Sequence, residues 1–326
     1  MTRVVCLPGD GVGPEVTEAA RRALERLAPD VELDERPFGA AAIRAHDDPL
    51  PDETLAACRG ADAVLKGPIG DPEFDGAAVR PEQGLLRLRA ELDVYANLRP
   101  AGEGAVDLLI VRELVGGLYF GASGVRDDGT AYDTCEYAPA QVERVVRRAF
   151  ALARARSGRL ASVDKANVLE TSRLWRRVVD EVAREFPDVA VEHVLVDNAA
   201  MQIAVDPGRF DVVVTENMFG DILSDLAAAV TGGIGVAPSA SLGDDGPGLF
   251  EPVHGSAPDL AGRGIANPTA MLRTTGLLLE HGLGRGDEAA ALERAVDGAL
   301  EITRTPDLGG TATTAELRDA VLARLA

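Results

Sequence analysis

Short apolar runs alternate with helical stretches along most of this chain, and that alternation restricts its fold more than any other feature. Runs at Arg3–Leu7, Ala63–Leu65, Leu108–Val111, Leu160–Val163, Val189–Val194 and Asp211–Thr215 read as buried strands. The longest helical stretches are Ala138–Arg156, Ser172–Glu185, Asp221–Val230, Pro268–His281 and Thr314–Leu325. After the first strand, Pro14 suits the first position of a helix, and Val16, Ala19, Ala20, Ala23, Leu24 and Leu27 follow at helical spacing. Strands separated by helices give an α/β protein with a largely parallel sheet. Stretches rich in Gly, Pro and Asp at 67–76, 232–248 and 305–310 read as loops. At 326 residues with 46% hydrophobic content, the chain has material for two ordinary domains. No apolar run reaches the ~18 residues of a membrane span. The N-terminus enters a strand directly without a signal-peptide pattern, and Cys6, Cys58 and Cys135 are too scattered for a disulfide or zinc framework. A reducing cytoplasm is the expected location.

Charge excludes one class of partner. With 53 acidic against 33 basic residues the chain carries a net charge of -20, which argues against nucleic acid. The acidity is spread along the chain, as expected of a solvated surface in a salty, halophilic cytoplasm such as that of a halophilic archaeon. A stability maximum in dilute buffer would contradict that origin. Lys66 and Lys165 are the only lysines, so a lysine retained here has a reason to be lysine.

Three constellations could carry chemistry. Gly9-Asp10-Gly11-Val12-Gly13 follows the first strand and invites a Rossmann dinucleotide reading, with Glu32 and Asp34 near the ribose position. However, Pro14 stands where the motif needs glycine, so a plain strand-to-helix turn is the better reading of these residues. Asp221 and Asp225 are four apart in NMFGDILSDL, so on a helix they share a face beside the stripe Ile222, Leu223, Leu226, Ala227 and Val230. A pair of acids there suits Mg²⁺ or Mn²⁺, or is simply the surface of an acidic protein. Lys165, in Val163-Asp164-Lys165-Ala166-Asn167, sits where a strand ends and could act as a base if neighbouring cations lowered its pKa.

Together the motifs resemble the β-decarboxylating dehydrogenases, the isocitrate, 3-isopropylmalate, homoisocitrate and tartrate enzymes. The resemblance runs in order through LPGDGVGPEV, RPEQGLLRLR, YANLRP, VRELVGGLYFG, SVDKANVLE, NMFGDILSDLA, EPVHGSAPDLAGRGIANP and PDLGG. It implies a two-domain α/β fold with mixed, largely parallel sheets that is not a Rossmann fold. Residues 1–94 and 232–326 would form a cofactor-binding domain holding both termini. Residues 95–231 would form the domain with the metal site, the dimer contacts and an arm around 119–137. It further implies that Arg89, Arg99 and Arg112 bind the substrate carboxylates, for which a bidentate guanidinium is suited. By the same resemblance Asp221, Asp225 and a partner's Asp197 hold the metal, Lys165 from the partner is the base, and Tyr119 is the acid. A homodimer with shared active sites follows, with assembly beyond the dimer left open. NAD would lie on His254, Gly255, Ser256, Ala257, Pro258, Asp259 and Asn267, the Asp259 carboxylate disfavouring the 2′-phosphate of NADP.

Within this family the side-group contacts set the substrate. Glu82, Leu85, Leu86 and Arg89 share a helical face, and Val168 matches a third apolar contact. Two leucines beside Arg89 fit an isopropyl group, though they could also be ordinary core. Arg87 lies about 200° around the helix from Arg89 and should face away. The expectation is oxidative decarboxylation of (2R,3S)-3-isopropylmalate to 2-oxoisocaproate in leucine biosynthesis, with isocitrate or homoisocitrate as alternative substrates. A catalytically silent regulatory subunit is disfavoured because the acid, base and metal residues are all present. A metal-free Rossmann reductase is disfavoured because it leaves Asp221 and Asp225 unexplained. One departure from bacterial relatives is that only residues 101–107 join Pro100 to the strand at Leu108, where many carry a longer loop.

Overall fold

The computed structural model describes residues 2–104 and 106–325. They divide into two compact units, one built from both chain ends (up to Asp93 and from Ile234 onward), the other from Val94–Gly233.

In the first unit the sheet runs, in spatial order, Glu32–Glu35, Arg3–Leu7, Ala63–Lys66, Gly248–Pro252 and Pro238–Leu242. The first four are parallel, and the last is antiparallel to its neighbour. Val4, Val5, Leu7, Val64, Leu65, Leu249 and Phe250 are wholly buried. Continuous apolar runs of this kind are what a sheet covered on both faces requires. The Gly13–Leu27 helix, with Pro14 in its first turn, buries Val16, Ala19, Ala20, Ala23 and Leu24 against the Thr269–Leu277 and Thr314–Leu322 helices.

The glycine turn before that helix has a packing role. Asp10 N donates to Pro68 O and Val12 N to Ser256 O, each at 2.8 Å. A Cβ on Gly9 would lie 2.1 Å from Pro68 O, and one on Gly11 2.0 Å from Ser256 O, both at positive φ. The turn is therefore pressed against carbonyl oxygens, which repel a phosphate, and the dinucleotide reading of Gly9–Gly13 fails. Asp34 is likewise committed elsewhere, to Arg36 at 2.7 Å and to Arg3.

In the second unit the order is Ala96–Glu103, Val106–Glu113, Val212–Thr215, Arg159–Asp164 and Ala190–Leu195. The first pair is antiparallel and the rest parallel. Leu108, Ile110, Ala161, Val163 and Val213 point to one face and share a core with Ala199, Ile203, Leu223 and Ala227. The Val196–Val205 and Asn217–Val230 helices thus cover that face, while Pro139–Ala155 packs on Glu170–Ala183. Cα registers of Thr215 with Arg112 and with Val163 bring the carboxyl ends of the strands to one edge, where α/β proteins place their chemistry.

The sequence reading needs four corrections. The helix marked from Asp221 begins at Asn217, because the Glu216 carboxylate caps it by accepting from Phe219 N at 2.8 Å and Met218 N at 3.3 Å. The 232–248 loop contains the strand Pro238–Leu242. Residues 101–107 are the tip of a hairpin paired down to Glu103 opposite Val106, with Ala105 outside the described residues. Local patterning does not single out the helices Ala40–His46, Asp52–Arg59, Val196–Val205 and Gly286–Leu300 or the strands Glu32–Glu35, Ala96–Glu103 and Gly248–Pro252. Ser123–Val125 pairs with Ala131–Asp133 in a small exposed ribbon. Among the described residues no helix is long and apolar enough to cross a membrane.

Candidate active site

Arg112, buried near the end of the Val106–Glu113 strand, is the centre of the second unit's polar cluster. Its Nε and Nη2 donate to Asn217 Oδ1 at 3.0 and 2.7 Å, and its Nη1 donates to Asp221 Oδ1. The Asn217 amide is held in turn by Gly116 O at 3.0 Å. Arg99 Nε donates to Asn97 Oδ1 and its Nη1 to Ser224 Oγ, both at 2.8 Å. The same guanidinium reaches Asp225 Oδ1 at 3.2 Å and Asp221 Oδ1 at 3.3 Å. Tyr119 donates to Asp221 Oδ2 at 3.1 Å, its ring centre 5.7 Å from Arg112 Cζ. One helix thus gathers Arg99, Arg112, Tyr119, Asp221 and Asp225.

The cation beside the two aspartates is a pair of guanidinium groups, so Asp221 is not an idle surface acid. The stripe read beside it divides in two. Leu223 and Ala227 face the core, while Ile222 and Val230 are exposed and Leu226 is half-buried. Burial and the neighbouring Asp221 push the Tyr119 phenol up, which keeps its proton on. Burial also pushes Asp225 up, against the pull of Arg99.

Lys165 and Asp197 form a separate pair. Lys165 follows the strand end directly, its backbone N donating to Ser172 Oγ at 3.0 Å. Its Nζ donates to Asp197 Oδ1 at 2.7 Å, and that bond holds the Asp197 carboxyl below the usual carboxylate range. The neighbour of Lys165 is therefore a carboxylate, whereas the base role was argued from neighbouring cations. Among the described residues no three His, Cys, Asp or Glu side chains come together as a metal site. Asp221 and Asp225 offer hard oxygen donors one helical turn apart, but one chain supplies only part of an octahedral set. Val168 lies in the turn after Lys165 and is 61% exposed.

In the first unit Arg89 is buried on the Pro81–Glu91 helix, its Nη2 donating to Glu251 Oε1 at 2.8 Å. Lys66 Nζ holds the other oxygen, Glu251 Oε2, at 2.9 Å and also donates to Gly67 O at 2.8 Å. Burial alone would raise the Glu251 carboxyl, but the two cations outweigh it and hold the group ionised. Core contact on this helix is made by Gly84 and Leu88, while Leu85 and Leu86 are half-buried and Glu82 is exposed. The leucines are thus not ordinary core. Arg87 faces away, its guanidinium on the Asp48 carboxylate at 3.2 Å and on Leu50 O.

The glycine-rich loop of this unit places His254 with Nδ1 2.9 Å from Gly255 O. Its Nε2 is enclosed without a protein partner, and burial lowers its pKa, so the imidazole is neutral. Ser256 is buried, Ala257 takes a left-handed conformation, and Pro258–Leu260 makes a short turn with Asp259 exposed. A Cβ on Gly255 would meet nothing within 4 Å, so the loop surface is open there. Asn267 is fixed by donating to Asp307 Oδ2 at 2.9 Å and accepting from Thr269 N at 3.0 Å. The supporting residues Asn97, Asn217, Ser224, Glu251 and Asp307 were not singled out from the sequence. Each lies in or beside a motif read only for its charged or glycine positions.

Comparison with known proteins finds relatives along nearly the whole chain. The sequence profile described as isocitrate/isopropylmalate dehydrogenase matches residues 3–321. The 3-isopropylmalate dehydrogenases of Streptococcus pneumoniae and Anaeromyxobacter dehalogenans are 49% and 50% identical, covering 99% of this chain and 99% of each relative. Among solved structures, isocitrate dehydrogenase from Methylococcus capsulatus superposes with a TM-score of 0.93 at 39% identity, over 100% of this chain and 99% of the other. A β-decarboxylating dehydrogenase from Thermococcus kodakarensis gives 0.87 at 39%, over 100% and 96%. This chain belongs to the isocitrate/isopropylmalate dehydrogenase family.

Proposed function

We propose that this chain oxidises and decarboxylates (2R,3S)-3-isopropylmalate to 2-oxoisocaproate, reducing NAD, as a step of leucine biosynthesis. The observation that carries the substrate assignment is the helix face around Arg89. Leu85 and Leu86 stand half-buried beside a buried guanidinium, and Arg87 is tied to Asp48 instead of being offered to a third carboxylate. Relatives named for 3-isopropylmalate are also closer in sequence, at 49–50%, than the isocitrate enzyme at 39%.

Arg89, Arg99 and Arg112 bind the carboxylates of the malate core. The partner's Lys165 takes the hydroxyl proton, and NAD, when bound, would supply the acceptor for the hydride of C2. The carboxyl on C3 then leaves as CO₂, and the Tyr119 hydroxyl, kept protonated beside Asp221, returns a proton to C3. Asp221 and Asp225 with the partner's Asp197 would hold Mg²⁺ or Mn²⁺, whose charge polarises the hydroxyl and stabilises the electron pair left by CO₂. His254, Gly255, Ser256, Ala257, Pro258 and Asn267 would hold the cofactor, and the exposed Asp259 carboxylate would favour ribose hydroxyls over a 2′-phosphate.

Two features support a homodimer with shared sites. Lys165 and Asp197 pair with each other, and no hydrogen bond or ion pair among the described residues joins them to Asp221 or Asp225. On the two helices that follow Leu195 and Glu216, Met201, Val205 and Ile222 are 59%, 80% and 58% exposed. Large aliphatic side chains exposed on packed helices of so acidic a protein favour burial against a partner there.

The test follows NAD reduction with 3-isopropylmalate, isocitrate, homoisocitrate, malate and tartrate, with Mn²⁺ and with EDTA. The proposal expects 3-isopropylmalate to give the highest kcat/KM and EDTA to abolish turnover. Preference for isocitrate overturns the substrate, and full activity in EDTA overturns the mechanism.

A further inference from the structure

Among the described residues, Lys66 is the buried cation that the proposed reaction leaves without a task. Its side chain is 2% exposed and that of Glu251 is 8%, in a cluster that also includes Arg89 at 9%. Burying ions is costly, and a packed apolar set of the same volume is commonly as stable or more so. Stability alone is therefore a weak reason for this cluster. Its composition is informative in another way. Two cations share one carboxylate, each taking a different oxygen, so the cluster carries a net charge of one positive unit.

We infer that Lys66 is a positioning residue for substrate binding: by holding the second oxygen of Glu251, it keeps the Arg89 corner cationic and the guanidinium fixed. This rests on the reading that Arg89 binds a substrate carboxylate. Without Lys66, Glu251 and Arg89 become a closed neutral pair, and an incoming carboxylate must compete with Glu251 for the guanidinium. With Lys66, Glu251 still orients Arg89 by one hydrogen bond while the corner attracts an anion. The residue type follows from the space. In a chain otherwise arginine-rich, this position keeps a compact ammonium that reaches both Gly67 O and Glu251 Oε2 from the end of a fully buried strand. A larger planar guanidinium would have to displace its buried neighbours.

Charge balance gives a test that structural damage does not imitate. Lys66→Met makes the cluster neutral, Glu251→Gln makes it doubly positive, and Lys66→Met with Glu251→Gln restores a single positive charge. KM for 3-isopropylmalate, at saturating NAD and Mn²⁺, should rise about tenfold or more in Lys66→Met. Most of the loss should be in KM and not in kcat. The double variant should recover at least half of that loss on a logarithmic scale. Lys66→Arg should fail to rescue, since the site takes an ammonium and not a larger cation. Thermal unfolding is measured beside each variant. A double variant with KM as high as Lys66→Met, or a Lys66→Met KM within twofold of the parent, overturns the inference. Arg89→Gln separates the two levels of the reasoning. If it leaves KM unchanged, the binding role of Arg89 itself is wrong and the inference falls with it. If it raises KM while Lys66→Met does not, only the role of Lys66 is wrong.

Discussion

Replacing Gly220 by alanine opposes a local gain to a distant loss, and the distances decide the sign. Gly220 lies inside the Asn217–Val230 helix, where glycine is worth about 1 kcal/mol less than alanine, so the change should favour the helix taken alone. Against that, the new methyl would sit 2.6 Å from Arg112 Cγ, 2.7 Å from its Cβ and 3.2 Å from its Cδ. These atoms belong to the root of the side chain, fixed to a central strand, so they cannot swing aside as a flexible tip does. Helix and strand must separate by roughly 0.7 Å to restore van der Waals contact, and overpacking of this kind costs about 1–3 kcal/mol. The net stability change is then a loss of about 0–2 kcal/mol. The functional loss should be larger. Arg112 is aimed by its bonds to Asn217 and Asp221, which lie on the displaced helix. A misplacement approaching 1 Å at a binding group costs on the order of 100-fold. Steady-state kinetics with 3-isopropylmalate should therefore give kcat/KM lowered by about 10- to 100-fold, with a melting temperature within a few degrees of the parent. Parent-like kcat/KM, or loss only in proportion to unfolding, refutes the claim that Gly220 exists to admit Arg112.

Three further outcomes are expected. Burial pushes Glu113 up to about 7 from 4.5, against hydrogen bonds from Val115 N, Tyr137 and Gly116 N. An acid whose folded pKa is raised contributes stability that is complete below the unfolded pKa and is lost as pH rises through the folded one. Denaturant unfolding of Glu113→Gln relative to the parent should thus gain on the order of 3 kcal/mol between about pH 4.5 and pH 8, and a flat difference rejects it. Mixing inactive Lys165→Ala and Asp221→Asn chains under subunit exchange should restore up to about a quarter of parental activity, because half of the dimers then hold one intact site. A mixture that stays inactive after proven exchange places Lys165 and Asp221 in the same chain's site. Asp259→Lys with Leu260→Tyr should move the kcat/KM preference from NAD toward NADP by at least tenfold, and an unchanged ratio removes Asp259 from coenzyme choice.

The legible part of the fold was the part written in periodicity. The Gly13–Leu27 helix and strands such as Arg3–Leu7, Val106–Glu113, Arg159–Asp164 and Val212–Thr215 carry apolar spacing that local patterning picks out. The Val196–Val205 helix escaped because it begins at the residue after a strand, with no glycine or proline between Leu195 and Val196. The strand Pro238–Leu242 escaped because glycines and aspartates on either side outweighed its five residues. In the site, Asp221 and Asp225 are readable as types and spacing, whereas Arg112 and Tyr119 follow only from the family resemblance. What holds them is not readable, since Asn217 acts through contacts 105 residues away along the chain and Glu251 through contacts 162 away from Arg89. Such partners are invisible to local patterning, which reports faces of one element and not what meets them.

The two lysines illustrate why arginine was not a substitute at every cationic position. Arginine serves where a planar fork meets two or more acceptors, as Arg112 does on Asn217 and Asp221 and Arg99 does across Asn97, Ser224 and Asp225. A guanidinium is also charged at every working pH, so it cannot accept a proton. Lys165 must be able to lose its proton if it is the base, and Lys66 must fit a compact charge between a backbone carbonyl and a carboxylate. These are different demands, one on titration and one on size, and each excludes arginine independently. The sequence presents both as the same anomaly of composition. Only the surroundings separate them: Lys66 is sealed against Glu251 in a fixed ion cluster, whereas Lys165 lies in a half-open pair with an exposed aspartate, where it can exchange partner for substrate.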